Sequence, residues 1–262
     1  MKFLLPLAVL AWLATPVTAC AQPARPQLQQ PELVATYPHD ANAFTQGLFM
    51  HDGALFESTG QVGQSSLRRV ELETGEVLQQ TNINPPVFGE GSARIGDEIF
   101  MLSWLSQTGM VFDAQSFELV DQFSYPGEGW GLTTDGTRLI LSDGSPQLRF
   151  LDPETMELTG TLDVTLNGRP VRRINELEWV GSAMEGEIWA NIWQTSSIVR
   201  IDPQTGIVTG LIDLTALIPA SLADPRDAVA NGIAWNPETD QIYVTGKLWP
   251  VLYEIRLPDS GE

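Results

Sequence analysis

Five phrases of this chain put a polar or aromatic residue just ahead of a short small or apolar run: Gln46-Gly47-Leu48, Glu90-Gly91-Ser92, Trp130-Gly131-Leu132, Asn175-Glu176-Leu177 and Asn231-Gly232-Ile233. Brought together, their leading residues form a ring of amides, one indole and one carboxylate. A purely structural ring does not need that mixture. About ten residues later each copy reaches an apolar strand (ALFES, IFMLSW, LILSDG, IWANIW, IYVTGK), whose far end supplies Glu57 and Ser58, Trp104, Asp143, Trp193 and Lys247. Aromatic and polar groups from separate segments are therefore expected to converge on one small volume, suited to binding or to proton transfer. Each group also has an ordinary reading. Tryptophans pack between sheets, an isolated Glu is solvated, Asn satisfies turn backbone, and Lys247 sits on a rim.

Several chemistries are excluded more firmly. His39, His51 and Cys20 are the only His and Cys residues, too few to build a typical three-ligand catalytic zinc site once Cys20 is assigned to the leader region. There is no Gly-x-Ser-x-Gly elbow, no phosphate loop ahead of a helix and no calcium loop. GEGWG at 127–131 lacks the third glycine and the helix of a dinucleotide motif. A propeller glycosidase needs two carboxylates flanking the bond, whereas the ring holds only Glu90, with Glu128 and Glu176 adjacent but displaced. No metal and no cofactor are expected.

The elements that would position this ring follow from the repeat. Its successive starts lie 44, 40, 45 and 56 residues apart, near the length of a four-stranded propeller blade. A second phrase runs in phase with it: VELETGEV from Val70, FDAQSFEL from Phe112, LDPETMEL from Leu151 and IDPQTGIV from Ile201, with a degenerate IRLPDSGE from Ile255. Each reads as strand, tight turn, strand. Helical periodicity is nearly absent; Thr215 to Asp227 contains Pro219 and Pro225 and reads as a loop with a short turn of helix. The fold class is all-β, a single five-bladed β-propeller with its blades between about Leu33 and Leu257. A β-sandwich is the alternative, and it does not explain two phrases repeating in phase. The longest interval carries its excess in 211–227, an insertion placed on a rim.

Net charge is −19, from 14 Lys plus Arg against 33 Asp plus Glu. Such acidity disfavours nucleic acid and anionic membranes and favours cations, including a peptide's protonated amino terminus. Residues 1–19 read as an export signal: Lys2, an apolar run from Phe3 to Ala14 broken only by Pro6, then Val17-Thr18-Ala19. Cys20 follows directly, so Val17 to Cys20 is similar to a lipobox with an acylated cysteine; cleavage by ordinary signal peptidase is the alternative. Residues 20–32, rich in Gln and Pro, read as a tether, and 33–262 as the propeller domain. The expectation is an exported monomer, periplasmic or extracellular, with a lipid anchor at Cys20.

The strings YPHDANAFTQGL, PPVFGEGSARIGDEIFMLSW, YPGEGWGLTTDG, RRINELEW, IWANIW, NGIAW and GKLWP, in this order and spacing, resemble the plant-type glutaminyl cyclases. The resemblance spans roughly Val34 to Leu257 and touches all five blades. It implies a propeller that converts the amino-terminal glutamine of a peptide to pyroglutamate with release of ammonia. By the same resemblance Glu90 falls on the proposed catalytic glutamate. Phe44, Gln46, Phe88, Trp104, Trp130, Asn175, Trp193 and Lys247 fall on its substrate pocket.

That set suits the implied reaction. An α-amine of pKa about 7.7–8.0 is largely protonated near neutrality, so a base must free it, and one carboxylate within reach of both nitrogens can take that proton and later deliver one to the leaving group. Glu90 is assigned this shuttle. The three tryptophans would hold the side chain folded, with indole N–H groups aimed at the oxyanion; Gln46 and Asn175 would read amide and amine; Lys247 would bind the peptide carbonyl or the oxyanion. The insertion at 181–185 is expected to alter how longer peptides approach. Two rivals remain: a non-catalytic propeller capturing peptide amino termini or sugars, and a lactonase or glycosidase.

Overall fold

The structure, a computed structural model, describes residues 26–222 and 226–258. The expected export signal and Cys20 lie outside the described residues. Four-stranded antiparallel sheets recur in chain order, and their innermost strands are Thr45–His51, Gly89–Ile95, Leu132–Thr134, Ile174–Val180 and Ala230–Asn236. These are the five blades of a propeller, as the repeat requires. The phrase at Phe112, Leu151 and Ile201 makes the outer hairpin turn of its blade because an Asp side chain there accepts two backbone N–H groups. Asp113 Oδ1 takes those of Gln115 and Ser116, Asp152 Oδ1 those of Glu154 and Thr155, and Asp202 Oδ1 those of Gln204 and Thr205. This is the Asx geometry that makes Asp a turn former.

What holds the blades together is apolar burial at the seams. The buried side chains fall into five clusters, one between each pair of neighbouring blades; Ile140, Leu148 and Phe150 of blade 3 meet Leu177, Ile188 and Val199 of blade 4, for example. Each fully buried Leu or Ile contributes about 1.5–3 kcal/mol, so the seams carry the stability of the ring. The fifth blade has only three consecutive strands of its own. Its outer strand is Glu32–Pro38, from the other end of the chain, paired antiparallel with Val251–Arg256. This closure joins the first and last blades without leaving a seam open.

The tether reading of 20–32 needs correction where it is described. Gln27–Gln29 forms a strand that adds in parallel to the outer edge of blade 4, pairing with Gly210–Ile212. Low apolar content left that segment without a core signal, but an exposed sheet edge recruits backbone whatever the side chains. The only helical turn among the described residues is a 3-10 turn at Thr215–Leu217, inside the expected loop.

Candidate active site

Near the axis some inner strands approach so closely that only glycine fits between them. A Cβ on Gly91 would strike the backbone of Gly131 and Leu132, and one on Gly131 would strike the Asn175 carbonyl. Blade 4 carries Glu176 at the corresponding position. Beside these contacts the pairing of inner strand with second strand slips by one residue in four blades: between Thr45 and Gly47, Gly89 and Ser92, Ile174 and Leu177, and Ala230 and Ile233. Such a bulge re-aims the extra residue out of the alternating pattern. The residues inside these slips include Gln46, Glu90, Asn175 and Asn231 of the sequence ring. Trp130 reaches the same level through its N–H to the Ser142 carbonyl.

One mouth of the channel opens into a cavity of about 180 Å³ lined by Phe44, Gln46, Phe88, Glu90, Trp104, Trp130, Asn175, Trp193 and Lys247, together with Arg226 and Asp227. Its aromatic residues form two edge-packed groups: Phe44 to Phe88 at 5.9 Å and Phe88 to Trp104 at 5.6 Å in one, and Trp130 to Trp193 at 5.5 Å between centroids in the other. Lys247 Nζ stands 4.8 Å from the Phe44 ring centre, a cation over an aromatic face. The amide wall is braced from behind. Asn175 Nδ2 donates to Asn231 Oδ1 at 2.7 Å, and Asn231 Nδ2 donates to the Thr45 carbonyl at 2.8 Å and to Gln46 Oε1 at 3.3 Å. That chain leaves Asn175 Oδ1 and the Gln46 Nε2–H groups for the cavity.

Glu90 is buried, and among the described residues its carboxyl makes no hydrogen bond. Burial pushes its pKa well above the usual carboxylate range, Lys247 pulls it back and the charge of Glu128 pushes it up again. Lys247 moves the other way: burial lowers it to about 8, against the upward pull of Glu90 and Asp227. A carboxyl whose proton affinity burial raises and an amine whose proton affinity burial lowers thus face the same small volume, the arrangement expected where protons are moved.

All nine residues assigned to the site by resemblance therefore line one cavity. Of the strand-end set, Trp104, Trp193 and Lys247 are among them, while Glu57, Ser58 and Asp143 are not. Glu57 is locked away from the cavity, accepting from Thr45 Oγ1 at 2.7 Å and facing His39 Nε2 at 3.2 Å and Arg68 at 3.6 Å. Burial alone would raise its pKa, but His39, Arg68 and Thr45 outweigh burial and hold it below the usual value. Ser58 donates to the Glu90 carbonyl at 2.7 Å, and Asp143 pairs with Arg149 at 3.4 Å. Asn231 stands behind the wall rather than on it.

Two mechanistic expectations also change. The indole N–H groups of Trp104 and Trp130 do not point at an oxyanion; both donate to Glu128 Oε2, at 2.7 and 2.9 Å. The 181–185 insertion joins the far ends of two blade-4 strands and places Ala183 with Trp179 at the opposite mouth of the channel, away from any peptide in the aromatic pocket. Arg226 and Asp227, in contrast, come from the long insertion of the last interval. Its extra length was the available signal for a rim element, but nothing in the pattern singled out those two side chains.

The geometry can be set beside known proteins. A family model described as Glutamine cyclotransferase matches residues 4–257. The chain is 43% identical over 239 residues to a glutaminyl-peptide cyclotransferase of Arabidopsis thaliana, covering 90% of this chain and 73% of that protein. It superposes on the crystal structure of Myxococcus xanthus glutaminyl cyclase with a TM-score of 0.82 and 39% identity, covering 89% of this chain and 98% of that one. The WD40 domain of Neurospora crassa Pan2, at a TM-score of 0.50 and 10% identity over 83% of this chain and 76% of its own, shares the fold alone.

Proposed function

The chain belongs to the glutamine cyclotransferase family, and we propose that it cyclises the amino-terminal glutamine of peptides to pyroglutamate, with release of ammonia, in the aromatic pocket. The observation that carries this reading is Glu90, a buried carboxyl without a hydrogen-bond partner among the described residues, facing a cavity walled by three tryptophans. Its role follows from that environment. The substrate's α-nitrogen must attack its own γ-carboxamide carbon, forming the ring C–N bond and breaking the bond to the amide nitrogen. Glu90 accepts a proton from the attacking nitrogen and passes one to the departing NH₂ group, which leaves as ammonia. Burial raises its proton affinity above that of an ordinary carboxylate, which strengthens it as a base toward the substrate amine.

The remaining residues bind and orient. The faces of Trp104, Trp130 and Trp193 confine the glutamine side chain in a folded form, which replaces a costly conformational search by a bound near-attack geometry. Asn175 Oδ1 accepts from an N–H of the substrate and the Gln46 side-chain amide donates to the substrate carbonyl. With two indole N–H groups committed to Glu128, Lys247 is left as the cation that offsets the developing oxyanion. No metal enters this scheme. The reading extends to export by residues 1–19 and acylation of Cys20, so Cys20→Ser is expected to release the protein from membranes; wild-type protein found entirely soluble would refute the anchor.

Incubation with a dipeptide that begins with glutamine tests the proposal. Ammonia release and a substrate mass loss of about 17 Da, the mass of the ammonia shed as Glu90 completes its proton transfer, are expected. Saturable binding of the dipeptide without ammonia would instead identify a capture module, and turnover of a lactone or glycoside in its place a hydrolase.

A further inference from the structure

Glu128 has no role in the reaction just described, yet it holds two of the three tryptophans. Trp104 follows the second strand of blade 2 and Trp130 precedes the inner strand of blade 3, so the two indoles reach the pocket across a blade seam. Their Nε1–H groups meet on a single oxygen, Glu128 Oε2. The backbone of the same residue is fixed as well: its carbonyl accepts from Arg149 Nη2 at 2.6 Å, the neighbouring Gly129 N–H donates to the Trp104 carbonyl at 3.2 Å, and Arg149 also reaches the Pro126 carbonyl.

We propose that Glu128 is a positioning residue for cyclisation, its one carboxylate oxygen clamping Trp104 and Trp130 into a single wall of the cavity that Glu90 lines. The proposal rests on the reading of the pocket as a cyclase site. A charged acceptor suits the task, because hydrogen bonds to a carboxylate are about twice as strong as neutral ones and a shared oxygen fixes the two rings relative to each other. Trp104 is partly exposed at the rim, at 38%, so seam packing alone does not immobilise it. The clamp turns the indole edges away from the cavity and leaves the apolar faces toward it, which is what confining a glutamine side chain requires.

The same charge acts on the proton shuttle. The ionisable groups bearing on Glu90 are Lys247 from blade 5 and Glu128 from the approach to blade 3, with Tyr125 beside them; Asp227 and Arg149 act one step further out, on Lys247 and Tyr125 respectively, and Arg226 lines the mouth. Glu128 is the negative member among Glu90's direct neighbours, and it pushes Glu90 toward its protonated form.

Two variants separate a positioning role from a merely structural one. Glu128→Gln keeps an oxygen able to accept both indoles but removes the charge, so the acidic limb of the kcat/KM profile for a glutamine dipeptide is expected to move to lower pH by about half a unit to one unit while KM stays near wild type. Glu128→Ala removes the clamp, and KM is expected to rise about tenfold, a loss within the range seen when substrate orientation is relaxed. In ¹⁵N-labelled protein without substrate, the indole N–H resonances of Trp104 and Trp130 are expected to shift in Glu128→Ala and to stay close to wild type in Glu128→Gln. An acidic limb unmoved in Glu128→Gln, or indole resonances unmoved in Glu128→Ala, would overturn the proposal. Wild-type protein that releases no ammonia would instead sink the cyclase reading, and the indole resonances would still report on the clamp.

Discussion

The channel of this propeller buries carboxyl groups at two levels, and their surroundings differ. Glu90 stands at the aromatic mouth. Glu176 and Glu178 lie on the inner strand of blade 4, further toward the opposite end. All three are buried, and burial drives all three pKa values up. Yet Glu176 accepts the backbone N–H of Leu48 at 3.3 Å and of Ile233 at 3.0 Å, stitching blades 5, 4 and 1 together at the axis. Glu178 likewise accepts from Trp235 N at 2.9 Å and Thr133 Oγ1 at 3.3 Å. Among the described residues the Glu90 carboxyl accepts no such hydrogen bond and faces the cavity instead. Burial alone therefore does not mark a catalytic carboxyl. A saturated one holds the ring together, and an unsatisfied one, kept in place by the seams around it, is available to a substrate.

The largest expected effect tests the Glu90 side of this contrast. Glu90→Gln keeps size but cannot accept a proton near neutrality, so kcat should fall by about 10²–10⁴ with little change in KM, while the melting temperature holds or rises because a buried ionisable group is gone. Ammonia release and thermal unfolding on the same preparation check it. A loss confined to KM would show that the carboxylate only anchors the substrate ammonium.

Glu176→Ala should do the reverse. It strands two buried amides, at roughly 1–3 kcal/mol each, which urea denaturation would register, while kcat/KM of the folded fraction stays at the wild-type value. Activity lost without loss of stability would break the distinction between the two levels.

Lys247 sharpens it further. With a pKa near 8, its cation disappears as pH rises through that value, so the basic limb of kcat/KM should begin there. Lys247→Arg, whose guanidinium stays charged, should move that limb upward by more than about one pH unit. A limb that remains in place belongs to another group.

A smaller effect concerns Glu178, whose folded pKa of about 8 lies above its ordinary 4.5. Between those values the folded protein binds more protons than the unfolded chain, so stability present at the acid end declines as pH rises through the window. Glu178→Gln should flatten that part of the stability profile, and an unchanged slope would assign it elsewhere. Smallest of all, treatment with EDTA or phenanthroline should leave turnover unaltered; activity lost and restored by zinc would overturn the metal-free scheme.

Much of the fold and most of the site are legible in the sequence because a propeller converts phase into position. Residues at one point of each repeat arrive at one level of the channel, and a glycine beside the ring residue marks where backbones touch and strands bulge. Glu90, Gln46, Asn175 and Trp130 could therefore be placed together from spacing. Lys247, Trp104 and Trp193 followed from the ends of the next strands, and family resemblance added Phe44 and Phe88. Phase gives a level, however, and not the direction in which a side chain points. Glu57 and Asp143 share that second level yet are drawn off by His39, Thr45 and Arg68 in one case and by Arg149 in the other.

What only the tertiary structure decided are the contacts between residues remote in the chain. Glu32–Pro38 supplies the outer strand of the last blade across more than two hundred residues, and no local pattern announces which open sheet a strand will complete. Glu128 reads locally as one displaced acid in a glycine-rich turn; it becomes a clamp only when Trp104 and Trp130 reach it from two blades. Arg226 and Asp227 belong to the pocket because the chain brings them to its lining beside Lys247. The repeat could set blade number, ring level and the lone carboxylate, since each is encoded by spacing along one dimension. Partners, hydrogen-bond saturation and hence proton affinity depend on distances in three, and those exist only once the ring has closed.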